Sequence, residues 1–145
     1  MTEERTAYLD SNVFVYAALY ESEKADGARH ILREIVEGDS EAATASLTLD
    51  EVTYVLEREE AREGALRQAE RILGFANLRV VSVGAEEARD ALGVMRDNDA
   101  LSPRDAFHLA AAEKAGADVL VTDDRDFNEV GMETAGLDEL YENGD

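Results

Sequence analysis

In LSPRDAFHLAAAEKAGADVLVTDD, residues 101–124, three local signals follow one another. Ser102 and Pro103 read as a helix start: a hydroxyl to accept from free N–H groups, then a ring whose fixed φ suits the first helical position. Ala106, Phe107, Ala110 and Ala111 recur at spacings of three and four, which puts them on one helix face ending before Gly116. The apolar residues of 119–122 then read as a short buried strand, and carboxylates follow at once. A helix that runs through a glycine turn into such a strand is the repeating unit of an α/β sheet.

The same alternation extends back to the start of the chain. Ala28, Ile31, Leu32, Ile35 and Val36 form one helical stripe, closed by Gly38. Leu49, Val52, Val55 and Leu56 form another; Leu66, Ala69, Leu73 and Ala76 a third; Ala88, Leu92 and Met95 a fourth. Extended segments are predicted at 6–9, 42–46, 78–83 and 119–122, with a helix carrying Val13, Phe14 and Tyr16 directly after the first. Strands that alternate with helices predict a mostly parallel sheet with helices on both faces, a three-layer α/β/α arrangement. No repeat, low-complexity segment or linker interrupts it. Residues 1–145 are therefore expected to form one domain, with the acidic stretch from roughly 138 to 145 frayed.

Ligands of such sheets bind outside the carboxyl ends of the strands. Asp10 and Asn12 follow the first predicted strand, and Glu51 lies shortly after the second. Asp105 opens the helix of the quoted stretch, and Asp123, Asp124 and Asp126 follow the last strand. Each acid has a plainer reading. Thr48-x-x-Glu51 and Ser102-x-x-Asp105 both match a capping box, and aspartates after a strand are common turn residues. Asp10 fits the plain reading least well, because it separates two apolar runs and Ser11 or Asn12 would cap a helix there equally well.

Taken together, the acids point to a cation. Two carboxylates 4 Å apart repel by about 4 kcal/mol at an effective dielectric of 20. A cluster of them persists only if protons or cations neutralise it. All-oxygen ligands suit Mg²⁺ or Mn²⁺, and helix amino-termini near Glu51 and Asp105 are expected to favour the ionised acids. Paired ions in such a site support phosphodiester hydrolysis. His108 reads as an orienting group for phosphate or, more plainly, as a packing residue. Arg104 and Arg125 are candidate phosphate contacts or exposed charges. Tyr8, Tyr16 and Tyr54 are expected in the core or at a dimer interface.

Thirty-four acids against fourteen lysines and arginines give a net charge of −20. The acids are spread along the chain and fall mainly on helix faces, so they read as a solvated surface suited to a salty cytoplasm, where self-repulsion is screened. The chain has no cysteine, which excludes disulfides, thiolate metal sites and thiol nucleophiles. No apolar run approaches the roughly 20 residues of a membrane span, and no secretory signal is visible at the start. A cytoplasmic protein is expected.

YLDSNVFVYA (residues 8–17), SLTLDEVTYVL (46–56) and LSPRDAFHLAAAEKAGADVLVTDDRDF (101–127), in that order, resemble the PIN domain, in particular the VapC-like toxin ribonucleases. The resemblance covers nearly the whole chain. It implies a five-stranded parallel sheet, Mg²⁺-dependent endoribonuclease activity, a VapB-like antitoxin as partner, RNA as substrate and a homodimer. Carried over by motif, the family's acids fall on Asp10, Glu51, Asp105 and Asp124. Asp10 and Asp105 would be the main metal ligands, with Glu51 and Asp124 binding directly or through water. Asn12, Ser46 and Thr122 match accompanying polar positions. Asp123 and Asp126 crowd Asp124, which leaves open which of the three ligates.

Three rival readings have distinct signatures. A catalytically silent interaction protein of the same fold would take up no metal. A house-keeping RNA-processing nuclease would lack a neighbouring antitoxin gene. A phosphoacceptor receiver domain would need a lysine after a late strand, whereas Lys114 lies in a helix.

Overall fold

The computed structural model describes residues 5–123 and 131–138. Five strands, β1 (Thr6–Leu9), β2 (Glu41–Ala45), β3 (Leu78–Val81), β4 (Val119–Val121) and β5 (Glu133–Ala135), form one sheet in the order β3-β2-β1-β4-β5. Every pairing is parallel. Six helices are described: α1 (Ser11–Leu19), α2 (Glu23–Val36), α3 (Ser46–Glu59), α4 (Arg62–Leu73), α5 (Ala85–Asp97) and α6 (Pro103–Lys114). The predicted α/β/α sandwich with a five-stranded parallel sheet is the observed one. None of the described helices is long and apolar enough to cross a membrane.

Strand geometry sends alternate side chains to opposite faces, and the apolar residues sort accordingly. Leu9, Ala42 and Val121 join Val13, Phe14, Ile31, Ile35, Val52, Leu56 and Ile72 in one core, covered by α1 to α4. Tyr8, Ala43 and Leu120 face the other way, against Ala91 of α5 and Ala106, Leu109, Ala110 and Ala111 of α6. The alanines of α6 present a smooth face, so the middle of this helix lies inside the second core while its two ends are exposed. Gly116, just past its end, has φ +72°, a left-handed conformation that costs glycine nothing.

Two predicted stripes are corrected. In α4 the buried residues are Ala65 and Ile72, while Leu73 is 60% exposed. In α5 they are Glu87 and Ala91, while Leu92 is 55% exposed. Both helices carry apolar residues on two adjacent lines, and only the packing partner chooses between them. β5 was read from no apolar run of its own, since its residues are Glu-Thr-Ala. Of the predicted frayed tail, residues 139–145 lie outside those described.

The strand order places the site. From β1 the chain builds outward through β2 and β3 on one side, and β4 and β5 fill the other. β1 and β4 are therefore neighbours at the point where the strand order reverses, and such sheets form their binding crevice there, beyond the carboxyl ends of the strands. Asp10 and Thr122 stand there.

Candidate metal centre

Asp10 continues β1 by one residue: its N–H donates to Val121 O at 3.0 Å. Its backbone is still extended, and its carboxylate accepts from Ser11 N at 2.7 Å, capping α1, which begins at the next residue. The cap at this junction is thus Asp10 itself rather than Ser11 or Asn12. The second oxygen accepts from Thr122 Oγ1 at 2.7 Å and from Asn12 Nδ2 at 3.4 Å. Only 5% of Asp10 is exposed. Two strand ends and one helix start hold this carboxylate in place.

Glu51 is also 5% exposed, and the predicted capping box around it does not form. α3 opens at Ser46 with Ala45 as its cap residue. Thr48 is already inside the helix, where its hydroxyl meets that of Thr44 at 2.7 Å; Thr44 in turn donates to Leu9 O at 2.8 Å. Glu51 therefore projects from the second turn, beyond the first turn where a helix amino-terminus acts strongly on charge. Helix capping therefore does not account for an acid at this position. Ser46 Oγ accepts from Val83 N at 3.3 Å and ties the start of α3 to the exit of β3.

Asp105 lies in the first turn of α6 and is 7% exposed. Its N–H donates to Ser102 Oγ at 3.2 Å, which is the expected cap. One turn further on the same face is His108, fully buried. Its Nε2 is 2.7 Å from Glu51 Oε1 and 3.5 Å from Asp10 Oδ1, and its Nδ1 is 2.6 Å from the Tyr8 hydroxyl. Burial pulls the imidazole pKa down, but the Glu51 hydrogen bond and the charges of Asp10, Glu51 and Asp105 outweigh it and hold His108 above its ordinary value. Tyr8 moves the other way from ionisation: burial first, then the Asp10 charge, raises its phenol well above the usual range.

Ligand atoms of Asp10, Glu51 and His108 all lie within 4.8 Å of one another. At that spacing two carboxylates repel by about 3 to 4 kcal/mol at an effective dielectric of 20. Arg104 Nε stands 2.7 Å from Glu51 Oε2, but its side chain is 67% exposed and the approach is not aligned for a hydrogen bond. Glu51 Oε2, though buried, accordingly has no hydrogen-bond partner among the described residues. Its charge is met by the Arg104 guanidinium, an ion pair that solvent screens because the arginine is largely exposed. An oxygen-rich donor set of this kind fits a hard or borderline divalent cation.

The segment after β4 is held from below. Asp123 N donates to Asn12 Oδ1 at 3.3 Å, Tyr16 donates its hydroxyl proton to Asp123 Oδ2 at 3.1 Å, and Lys24 Nζ pairs with Asp123 Oδ1 at 2.8 Å. The candidates Asp124, Arg125 and Asp126 lie outside the described residues. Tyr8 belongs to the core, Tyr16 is half-buried, and Tyr54 lies outside the core on the surface of the chain.

The sequence profile of the PIN domain matches residues 7–132. The chain belongs to the PIN domain family. Among solved structures that share its fold is VapC20 of Mycobacterium tuberculosis, described as a sarcin-ricin loop cleaving toxin. It is 21% identical with a TM-score of 0.72, covering 87% of this chain and 95% of that one. VapBC2 of Rickettsia felis, bound to a DNA fragment from its promoter, is 16% identical with a TM-score of 0.69 over 90% and 98% of the two chains. DNA-bound VapBC of Salmonella typhimurium is 20% identical with a TM-score of 0.67 over 92% and 98%. At these identities the likeness is one of fold. No curated protein matches the sequence.

In this PIN domain, sequence reasoning undervalued His108 and Tyr8. The three-residue spacing of His108 from Asp105 put it on a neighbouring helix face, which was the available signal. Its hydrogen bond to Tyr8 spans 100 positions in the chain, which no local pattern reveals.

Proposed function

We propose that this PIN domain is a divalent-metal-dependent endoribonuclease of the VapC toxin type, paired with a VapB-like antitoxin. The observation that carries the reading is the burial of Asp10 and Glu51 together at the β1–β4 crevice, where their ligand atoms lie within 4.8 Å of each other and the facing cation, Arg104, is largely exposed. Family membership supports nuclease chemistry, and the description of VapC20 as a sarcin-ricin loop cleaving toxin supports RNA as the substrate. The VapBC neighbours support an antitoxin partner.

Asp10 and Asp105 would hold Mg²⁺ or Mn²⁺, with Glu51 and Asp124 binding directly or through water. When bound, the cation supplies an activated water and stabilises charge that develops on the phosphate. The chain's own residues do the rest. Thr122 and Asn12 orient Asp10 by donating to its Oδ2. Tyr16 and Lys24 occupy both oxygens of Asp123, which favours Asp124 over Asp123 as the fourth acid. Arg104, largely exposed beside Glu51, stands at the rim of the site, where an incoming phosphate would meet it. With so few cations, recognition of RNA rests on the metal and a handful of arginines rather than on a broad basic surface. A homodimer in a high-salt cytoplasm completes the reading.

Cleavage of RNA by the purified chain in Mg²⁺ or Mn²⁺, at high salt, tests the proposal against the Asp10→Asn variant. Wild-type cleavage that Asp10→Asn loses by several orders of magnitude is expected. Equal cleavage by both would assign the activity to a contaminant and refute the mechanism.

A further inference from the structure

Metal-binding acids leave one part of the crevice without a role: the buried chain behind Glu51. Both ring nitrogens of His108 are engaged, Nδ1 with Tyr8 of β1 at 2.6 Å and Nε2 with Glu51 of α3 at 2.7 Å. The Tyr8 and His108 rings meet edge-on at 63°, with centroids 5.7 Å apart. The Thr44 and Thr48 hydroxyls meet at 2.7 Å, and Thr44 is anchored to the Leu9 carbonyl at 2.8 Å. A histidine buried for its volume alone needs no such run of partners across β1, α3 and α6.

The effect on Glu51 is asymmetric. Oε1 is held by His108 at 2.7 Å, while Oε2 is buried with no hydrogen bond among the described residues and meets the largely exposed Arg104 guanidinium at 2.7 Å. A glutamate has three side-chain torsions and, if unrestrained, would reach the crevice in several orientations. Carboxylates that bind metals are fixed by hydrogen bonds from residues that do not themselves touch the ion. We propose that Tyr8 and His108 are positioning residues: the Tyr8–His108–Glu51 chain grips one oxygen of Glu51 so that the other is presented to the cation. The inference rests on the metal-dependent reading given above. The alternative, His108 as a ligand, would have to release the 2.7 Å hydrogen bond that Nε2 already makes.

Two substitutions at one position separate the cases. The amide nitrogen of His108→Gln falls near the place of Nε2 and reaches Glu51. That of His108→Asn falls near Nδ1 and reaches only toward Tyr8. Mn²⁺ affinity is measured on the full chain from the free-ion EPR signal, and melting temperature is recorded without metal for each variant.

His108→Asn and Tyr8→Phe are expected to weaken Mn²⁺ binding by about 10- to 100-fold, with His108→Gln recovering most of the wild-type affinity. Tyr8→Phe alters no atom of Glu51 and offers a second route if either His108 variant folds poorly. Wild-type affinity in His108→Asn, or affinity that follows melting temperature alone across all three variants, would overturn the proposal. So would nitrogen coupling to Mn²⁺ in the wild type, which would make His108 a ligand. A wild type that takes up no Mn²⁺ refutes the metal-dependent reading itself, and this inference with it.

Discussion

At the scale of single residues, Asp10 serves two purposes with one carboxylate: it caps α1 through Ser11 and stands within reach of Glu51 and His108. Its place was legible because a carboxylate between two apolar runs has few reasons to exist. Glu51 was legible only as a candidate, since its sequence also fitted a capping box. The box fails because α3 starts two residues before Thr48, and Thr48 hydrogen-bonds Thr44 instead. That exchange predicts the outcome of Thr44→Val. The variant keeps the shape of the side chain but removes the donor to Leu9 O and leaves the buried Thr48 hydroxyl without its partner. Urea denaturation should show a loss of about 1 to 3 kcal/mol. A neutral result would mean that the two threonines are not buried together.

At the scale of elements, helix α2 shows packing overruling propensity. A Cβ built on Gly27 would come within 2.3 Å of the Leu137 carbonyl oxygen, a backbone atom. Alanine would gain roughly 0.5 to 1 kcal/mol as a better helix former, but overpacking costs about 1 to 3 kcal/mol. Gly27→Ala is therefore expected to lower the melting temperature; an increase would show that the segment around Leu137 packs elsewhere.

Helix α5 gives a pH prediction. Glu87 accepts from Gly84 N at 2.6 Å and from Lys114 Nζ at 3.3 Å. The Gly84 N–H, first, and Lys114 lower its pKa from 4.5. A depressed carboxyl pKa stabilises the fold above the unfolded value and ceases to do so as pH falls through the folded one. The stability advantage of wild type over Glu87→Gln should hold near neutrality and shrink as acid is added below pH 4.5. An advantage independent of pH would contradict the assignment. The misplaced stripes of α4 and α5 belong to this scale too: spacing alone does not distinguish Ile72 from Leu73, or Ala91 from Leu92, until the sheet face is known.

At the scale of the whole molecule, most of the architecture was legible because a parallel sheet buried on both faces demands apolar strands between amphipathic helices. β5 escaped because an edge strand of three residues, Glu133–Ala135, carries little apolar pattern. The net charge of −20 acts over the entire surface. Raising KCl from about 0.1 M to about 1 M shortens the screening length from about 10 Å to about 3 Å. The melting temperature should rise over that interval, and a fall would place the charge in favourable pairs instead. RNA affinity should depend on salt with a shallow slope, since few lysines or arginines are available to release counterions. A slope as steep as that of a basic nuclease would refute this.

The central claim is that acids distant in sequence share a divalent cation in the β1–β4 crevice, and isothermal calorimetry with Mn²⁺ tests it most directly. Asparagine at position 10 retains an acceptor for Ser11 N, so the Asp10→Asn variant removes charge while leaving the helix cap. The account predicts saturable Mn²⁺ uptake by the wild type that Asp10→Asn combined with Asp105→Asn abolishes. No uptake by the wild type, or the same uptake by the double variant, would contradict it.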